Sequence, residues 1–274
     1  MGRYDGIVLY SDYDGTLADP DNRIAQENLD AIAAFQEHGG RFSLATGKSL
    51  FDLREMPFSV NAPVILTNGA DVWDPGTRSF LRRRLIPEDE YGILGEIFDG
   101  ISEVGLNARN AEGDVLCFRA NFDVVDPEEA SWFTGVVPLG DRTGFGPGIN
   151  EVTAYGSDAD LMAARRAVAR HPGLSCSISY PGFLSIVPAG VDKGSGLSCV
   201  MDSEVVPGSP IYLVVGDGEN DLGLFSRADV AFAMGNALDD VKAAADVILE
   251  DNAAPCIPQI VEYIDDMLLD LGRA

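Results

Sequence analysis

Alternating strands and helices at the two ends of the chain most limit what it can fold into. Near the N-terminus, the apolar run at 7–10 is followed by a helical pattern over 22–38 and by short apolar runs at 41–46 and 63–66. The alternation resumes after about residue 190, with apolar runs at 211–216 and further on. Repeated strand–helix–strand units join parallel strands through right-handed crossovers. The two ends therefore predict a single α/β domain with a parallel sheet.

The middle third of the chain has a different pattern. Strand-like runs are separated by Gly and Asp turns, helical patterns intervene twice, and Pro181-Gly182 predicts the turn of a β-hairpin. The glycine-rich segment 144–148 predicts a loop. We therefore expect a core domain formed by residues 1–78 and 189–274, and an α+β domain of residues 79–188 inserted into it.

Composition excludes several classes of partner. The 44 acidic and 19 basic residues give a formal net charge of −25, which argues against binding to nucleic acid or to an anionic membrane surface. No apolar run reaches the length of a membrane span, and no signal-peptide stretch is recognisable. The four cysteines are far apart, which is typical of free thiols in a reducing compartment. We expect a cytoplasmic protein, and the composition leaves monomer and dimer open.

Polar residues follow four of the predicted strands. In open α/β sheets, functional groups gather at the carboxyl ends of the strands. A single polar strand end would also fit a turn or a helix cap, but four at one sheet edge predict a functional site. The residues at these ends are Asp12, Asp14, Gly15 and Thr16; Thr46, Gly47 and Lys48; Asn68 and Gly69; and Asp217, Asn220 and Asp221.

These residue types suit a metal and a phosphate. Carboxylates from separate strands form an oxygen-ligand site that fits Mg²⁺, and backbone N–H groups of glycine-containing turns suit phosphate oxygens. A calcium-binding EF-hand loop starting at Asp12 would need Gly at its sixth position and Glu at its twelfth. Leu17 and Arg23 stand there, so that alternative fails. With two histidines in the chain, chemistry based on carboxylates is favoured.

The motifs carry a family resemblance. The segments DYDGT at 12–16, ATGKS at 45–49, VDKGSGL at 191–197 and GDGEND at 216–221 resemble the haloacid dehalogenase (HAD) superfamily signature. NGA at 68–70 and AFAMGNALDDVKAAAD at 231–246 extend the resemblance to the Cof-type sugar-phosphate phosphatases, which carry a large α+β cap. The resemblance covers both flanks, about 6–70 and 186–250. It implies a Rossmann-like parallel-sheet core domain with an inserted cap.

The resemblance also implies roles for the residues. Asp12 would be the nucleophile, Asp14 the general acid and base, and Thr46 and Lys193 catalytic contacts to the phosphate. Gly15, Thr16, Gly47, Asn68, Gly69 and Asn220 would bind phosphate. Asp12, Asp14 through its backbone carbonyl, Asp217 and Asp221 would hold Mg²⁺. The implied substrate is a small phosphorylated metabolite, and sugar phosphates are the leading expectation.

Several alternatives stay open at this point. Within the enzyme class these are a phosphoglycolate- or glycosyl-phosphoglycerate-type phosphatase and a phosphosugar mutase. A non-catalytic sensor of a phosphorylated ligand would be expected to lack a motif carboxylate, and none is missing. Lys48 fits either a phosphate contact or an exposed helix start. The run Arg82-Arg83-Arg84 in the inserted domain fits either an anion-binding group or a solvated sheet face, and the solvated face is favoured because charge runs usually face water.

Overall fold

The computed structural model describes residues 2–54, 56–121, 133–136 and 148–272. Most of the glycine-rich segment predicted to be a loop, residues 144–147, lies outside these ranges. The four cysteines are free, as predicted. Each helix in the described ranges is too short or too polar to cross a membrane.

A five-stranded parallel sheet forms the centre of the first unit. Its order is β14-β13-β12-β1-β2, and all neighbouring strands are parallel. Helices cover the sheet, so its central strands are buried on both sides and read as continuous apolar runs. The strands are β1 (Ile7–Ser11), β2 (Arg41–Leu44), β12 (Ile211–Gly216), β13 (Val230–Ala233) and β14 (Val247–Ile248). The helices are α1 (Gln26–Glu37), α4 (Lys193–Asp202), α5 (Leu222–Phe225), α6 (Asp239–Ala244) and α7 (Cys256–Asp270).

A small antiparallel sheet lies beside the end of the parallel sheet. It has the order β3-β4-β5, formed by β3 (Val64–Leu66), β4 (Asp71–Asp74) and β5 (Ser79–Arg83). One parallel bridge between Ala45 and Ile65 connects β3 to the end of β2. Because β5 pairs with β4, the predicted domain boundary at 78/79 falls inside this sheet. The domain bounds stay a prediction.

A six-stranded, largely antiparallel sheet forms the second unit. Its order is β10-β11-β9-β6-β7-β8, with β7 and β8 parallel. The hairpin predicted at Pro181-Gly182 is confirmed, since β10 and β11 pair on either side of it. The strands are β6 (Gly105–Asn110), β7 (Val115–Arg119), β8 (Phe133–Val136), β9 (Ile149–Tyr155), β10 (Leu174–Tyr180) and β11 (Phe183–Pro188); the helices are α2 (Gly92–Gly100) and α3 (Asp158–Val168).

The two large sheets have separate hydrophobic cores. One core is formed by β1, β2, β12, β13 and their helices, and the other by β6, β9, β11, α2 and α3. We call the second unit the cap. The carboxyl ends of β1, β2 and β12 lie at one edge of the parallel sheet, where the predicted functional residues are found.

Candidate active site

Asp12 stands directly after β1. Its backbone N–H donates to the carbonyl of Val215 (2.9 Å), so the pairing of β1 with β12 holds its position. The residue is 4 % exposed. Burial raises the pKa of the Asp12 carboxyl well above its ordinary value, and the charge of Lys193 opposes this rise. An ionised carboxylate at this position therefore depends on nearby cations.

Lys193 supplies one such cation from the first residue of α4. Its Nζ lies 2.8 Å from Asp12 Oδ1 and donates to Asp221 Oδ1 at 2.7 Å. The side chain is fully buried. Burial disfavours the charge, but the two carboxylates hold the pKa of Lys193 above its ordinary value. Since a helix N-terminus also disfavours a cation, the ammonium is stabilised here by these carboxylates.

Asp221 organises the loop after β12. Its Oδ2 accepts the backbone N–H groups of Asp217 and Gly218, both at 3.0 Å, while Oδ1 accepts from Lys193. Both oxygens of this buried carboxylate thus already hold protein groups. These contacts indicate that Asp221 positions Asp217 and Lys193. Its role as a metal ligand stays a prediction.

Gly15 and Thr16 fit against Asp217. Thr16 Oγ1 donates to Asp217 Oδ1 at 2.8 Å. Gly15 has φ +76°, and a Cβ at this position would lie 2.5 Å from Asp217 Oδ2. Any larger residue would displace that carboxylate, so glycine is required for the approach of the two loops. The turn that was predicted to hold phosphate also shapes the acidic cluster.

The acidic cluster suits a divalent cation. Carboxylate oxygens of Asp12, Asp217 and Asp221 all lie within 4.8 Å of one another. When all three carboxylates are ionised, the cluster with Lys193 carries a net charge of −2, which a divalent cation would cancel. Burial, followed by the charge of Asp221, raises the pKa of Asp217 to about 6. Hard oxygen donors with this charge fit Mg²⁺.

The Asp14 carboxylate is not part of that cluster. Its Oδ1 accepts from Lys48 Nζ at 2.9 Å, and the ammonium lies 4.6 Å from the centre of the Tyr13 ring. Both partners are partly exposed. The two carboxylates of the opening motif thus have different surroundings, since Asp12 is buried and Asp14 is partly exposed. Among the described residues, the cluster is formed by the carboxylates of Asp12, Asp217 and Asp221. A role of Asp14 as a metal ligand would therefore depend on its backbone carbonyl.

Thr46 and Gly47 follow β2, as predicted. Thr46 is fully buried, and its Oγ1 accepts the backbone N–H of Lys48 at 3.1 Å. Gly47 lies against Asn68, whose Nδ2 would be 3.1 Å from a Cβ at residue 47. The end of β2 therefore lies beside the turn that follows β3, at the edge that carries Asp12.

Asn68 bridges the core to the cap. Its Nδ2 donates to Glu151 Oε1 and to Ser185 Oγ, both at 3.0 Å and both in cap strands. Its Oδ1 accepts from Asn220 Nδ2 at 2.9 Å. Thr67, Asn68 and Gly69 all have positive φ, and a Cβ on Gly69 would overlap the Asp192 carbonyl. Asn68 and Asn220, which are both predicted to contact phosphate, are thus hydrogen-bonded to each other, and Asn68 is also bonded to the cap.

Glu219 makes a second connection to the cap. Its Oε2 accepts from Arg165 Nη2 at 2.6 Å and from the backbone N–H of Ile178 at 3.1 Å. The side chain belongs to the loop that carries Asp217 and Asp221, so this loop contacts both α3 and β10. Sequence reasoning missed this role, since nothing in the motif indicates a partner some fifty residues away.

Asn236 was also missed. Its Nδ2 donates to the carbonyl of Gly15 at 2.8 Å, which supports the turn after Asp12. The residue follows β13, and the strand-end reasoning applied to β1, β2 and β12 would have found it.

Arg82 corrects one prediction. Its guanidinium donates to the Ser195 carbonyl (2.7 Å) and to Ser195 Oγ (2.9 Å), so it packs on α4 rather than facing water. Arg83 contacts Asp71 at 3.4 Å. The prediction that the whole run is solvated was wrong, because β5 joins the small sheet beside α4.

Comparison with known proteins assigns the family. The model of the haloacid dehalogenase-like hydrolase family matches residues 9–260. The chain belongs to this family. The 5-amino-6-(5-phospho-D-ribitylamino)uracil phosphatase YwtE of Bacillus subtilis is 26% identical, over 88% of this chain and 92% of that protein. Pyridoxal phosphate phosphatase YbhA of Escherichia coli is 25% identical, over 93% and 97%.

A solved structure agrees with the fold. A HAD-superfamily phosphatase from Bacteroides thetaiotaomicron superposes with a TM-score of 0.77, at 24% identity and over 99% of this chain and 97% of that one. The predicted family and the predicted α/β class with a parallel-sheet core are therefore confirmed. The prediction that the protein is a phosphatase of the HAD family is also confirmed. The individual residue roles stay predictions.

Proposed function

We propose that this HAD-family phosphatase hydrolyses phosphate monoesters of small metabolites, sugar phosphates first, with Mg²⁺ and an aspartyl-phosphate intermediate on Asp12. The observation that carries the proposal is the buried Asp12 carboxylate, held by Lys193 at 2.8 Å within a cluster of three carboxylates. A second carboxylate two residues on, Asp14, is not part of that cluster and is partly exposed. These surroundings support attack by Asp12 and proton transfer by Asp14.

The proposed first step forms a bond from an Asp12 carboxylate oxygen to phosphorus. The bond from phosphorus to the ester oxygen breaks, and Asp14 donates a proton to the leaving oxygen. In the second step Asp14 takes a proton from water, whose oxygen attacks phosphorus and releases Asp12 and inorganic phosphate. Lys48, 2.9 Å from Asp14, would stabilise the carboxylate form between the two steps.

Lys193, the Thr46 hydroxyl and the backbone N–H groups of Gly15, Gly47 and Gly69 would hold the phosphate oxygens. Asp12, Asp217 and the Asp14 carbonyl would hold Mg²⁺, with Asp221 directly or through water. When bound, the cation would offset the charge of the transferred phosphoryl group. The relatives' names include a phosphoribitylamino-uracil and a pyridoxal phosphate, so the leaving group differs across the family. Sugar phosphates therefore remain a proposal for this chain.

Removal of the metal tests the proposal. The purified chain should release p-nitrophenol from p-nitrophenyl phosphate in the presence of Mg²⁺. Excess EDTA should lower the rate on the order of 100-fold, because the acidic cluster would then repel the phosphate. Adding Mg²⁺ beyond the chelator should restore the rate. A rate that EDTA leaves unchanged would rule out the metal-dependent mechanism.

The affinity for Mg²⁺ should depend on pH. Because the pKa of Asp217 is raised to about 6, protons compete with the metal below that pH. We expect the half-saturating Mg²⁺ concentration to rise about tenfold per pH unit below 6 and to level off above it. Initial rates measured against Mg²⁺ at several pH values would show this. The Asp217→Asn variant is the control, expected to bind more weakly and with a flatter pH profile; an equally flat profile in the wild type would refute the competition.

A further inference from the structure

A cleft of about 260 Å³ lies between the core and the cap, outside the acidic cluster. Its core wall is formed by the segment after β2, including Ser49, Phe51 and Arg54, and its cap wall by the turn between β6 and β7. Arg83 and Arg109 also line it. Both domains thus contribute charged side chains to one space.

The charge of this cleft is unusual for the molecule. In a chain of net charge −25, three arginines meet here, while the lining acids are Asp71 and Glu112. Asp71 is already matched, since it contacts Arg83 at 3.4 Å and accepts from Asn150 Nδ2 at 3.3 Å. The Arg54 guanidinium lies 4.5 Å from the centre of the Phe51 ring, and among the described residues it has no acidic partner within 4 Å. Arg109 is held by Asp52 at 3.2 Å and lies 3.6 Å from Glu151, so the positive charge that the cleft offers to a ligand comes from Arg54.

Two buried polar atoms in the cleft lining have no hydrogen-bond partner among the described residues. They are Asn150 Oδ1 and Arg109 Nε. Asn150 is 2 % exposed, and its Nδ2 is already used by Asp71. Arg109 Nε lies 3.6 Å from Glu151 Oε2, beyond hydrogen-bond distance. Buried polar groups are normally paired, so an unpaired acceptor and an unpaired guanidinium donor beside this space indicate a polar ligand.

A chain of contacts connects the cleft to the group that would protonate the leaving oxygen. Lys48 contacts Asp14, and the next residue, Ser49, lines the cleft. The Ser49 hydroxyl donates to Asp52 Oδ2 (2.8 Å), which also accepts from Arg109 Nη1 (3.2 Å). These contacts connect the Asp14 side of the reaction centre to the arginines. The far end of a substrate's leaving group would extend in this direction.

Resting on the proposed phosphatase function, we propose that this cleft binds an anionic group, a carboxylate or a second phosphate, at the distal end of the leaving group. Arg54 and Arg109 contact the anion, because an arginine fork matches either oxyanion. Asn150 Oδ1 accepts from a hydroxyl on the carbon chain. Phe51, which is 59% exposed, covers the apolar part of that chain.

Matched substrate pairs test this assignment. Glucose 6-phosphate is compared with 6-phosphogluconate, and fructose 6-phosphate with fructose 1,6-bisphosphate, by kcat/KM for phosphate release. The wild type is expected to prefer the anionic member of at least one pair. Which pair responds distinguishes a carboxylate from a phosphate. In Arg54→Gln, the preference for the anionic member should fall about tenfold, since one charge-assisted hydrogen bond is lost.

Arg170→Gln is the charge-matched control. Arg170 lies on the cap surface beside Glu96, away from the cleft residues, and its loss should leave every ratio within about twofold. Arg109→Gln is the second variant and should lower the same ratio; its folding is checked by thermal melting, because Arg109 also contacts Asp52. The cleft assignment alone is overturned if the wild type hydrolyses glucose 6-phosphate and fructose 6-phosphate but prefers neither substrate that carries a second anionic group. It is also overturned if the ratio of kcat/KM values in Arg54→Gln equals that of the wild type. Absence of phosphate release from every substrate, p-nitrophenyl phosphate included, overturns the proposed function and the cleft assignment with it.

Discussion

Replacing Asp12 with Asn should abolish turnover while leaving the protein folded. The amide cannot form the phosphoryl ester, so we expect kcat for p-nitrophenyl phosphate to fall at least about 10⁴-fold. Stability should be unchanged or higher, because burial already raises the pKa of Asp12 and the substitution removes one of three crowded negative charges. The amide oxygen can still accept from Lys193. Initial rates together with thermal melting would measure both effects.

Asp14→Asn is the matched control for this experiment. The same replacement of Asp by Asn is made at a partly exposed residue. It removes the group proposed for proton transfer and leaves the proposed nucleophile in place. Because p-nitrophenolate leaves without a proton, the first step should survive while hydrolysis of the intermediate slows. We therefore expect a burst of about one p-nitrophenol per active site, followed by slow turnover. Residual activity above about 1% of wild type in Asp12→Asn would contradict the nucleophile assignment.

The core of the candidate site could be predicted because its parts follow strands. Asp12, Thr46 and Asp217 each lie within two residues of a strand end, and parallel strands place those ends at one edge. The apolar runs of β1 and β12 are continuous, so both strands are easily recognised as buried. Local sequence therefore carried most of the information about that edge of the sheet.

The cap side of the site could not be predicted in the same way. Glu151 reaches Asn68 across 83 positions, and the contact depends on how the cap sheet lies on the core. The unusual left-handed conformation of Thr67 and Asn68 directs the Asn68 side chain toward the cap, and no pattern in the sequence indicates it. Arg82 was misjudged for a similar reason, since its partner Ser195 lies 113 positions away.

The contacts of Asn68 and Glu219 give the two domains a shared role. Asn68 follows β3 and Glu219 follows β12, and each holds a cap residue while its neighbours belong to the proposed reaction centre. Glu151 is 5 % exposed, and burial raises the pKa of its carboxyl. Separation of the cap from the core would expose Glu151 and break these bonds. The network therefore links the position of the cap to the arrangement of the loops that carry Asn68, Asp217 and Asp221.

Lys193→Met should impair both stability and catalysis. Methionine fills a similar volume, but it leaves Asp12 and Asp221 facing each other in a fully buried site without their shared cation. Breaking a buried ion pair by removing one partner costs about 3–5 kcal/mol. Turnover should fall by about 10³-fold or more, because the ammonium is also the proposed contact to the phosphate.

The loss of stability in Lys193→Met should depend on pH. Without the ammonium, the folded-state pKa of Asp12 rises further above its unfolded value, so the folded variant binds a proton that the unfolded chain has lost. Stability of the variant should therefore fall as pH rises from about 4 through that raised pKa, and the deficit relative to wild type should be larger at pH 8 than at pH 5. Denaturant unfolding at the two pH values, in EDTA, would measure it.

Lys48→Met provides the comparison that separates burial from charge. It removes the same charge from a pair with Asp14 in which both side chains are partly exposed, so its cost should stay below about 1 kcal/mol at either pH. Mg²⁺ should recover part of the stability of Lys193→Met, because the metal contributes positive charge to the same carboxylates. Equal destabilisation by the two substitutions would mean that the ammonium of Lys193 does not compensate the buried carboxylates, and the electrostatic account of the reaction centre would fail with it.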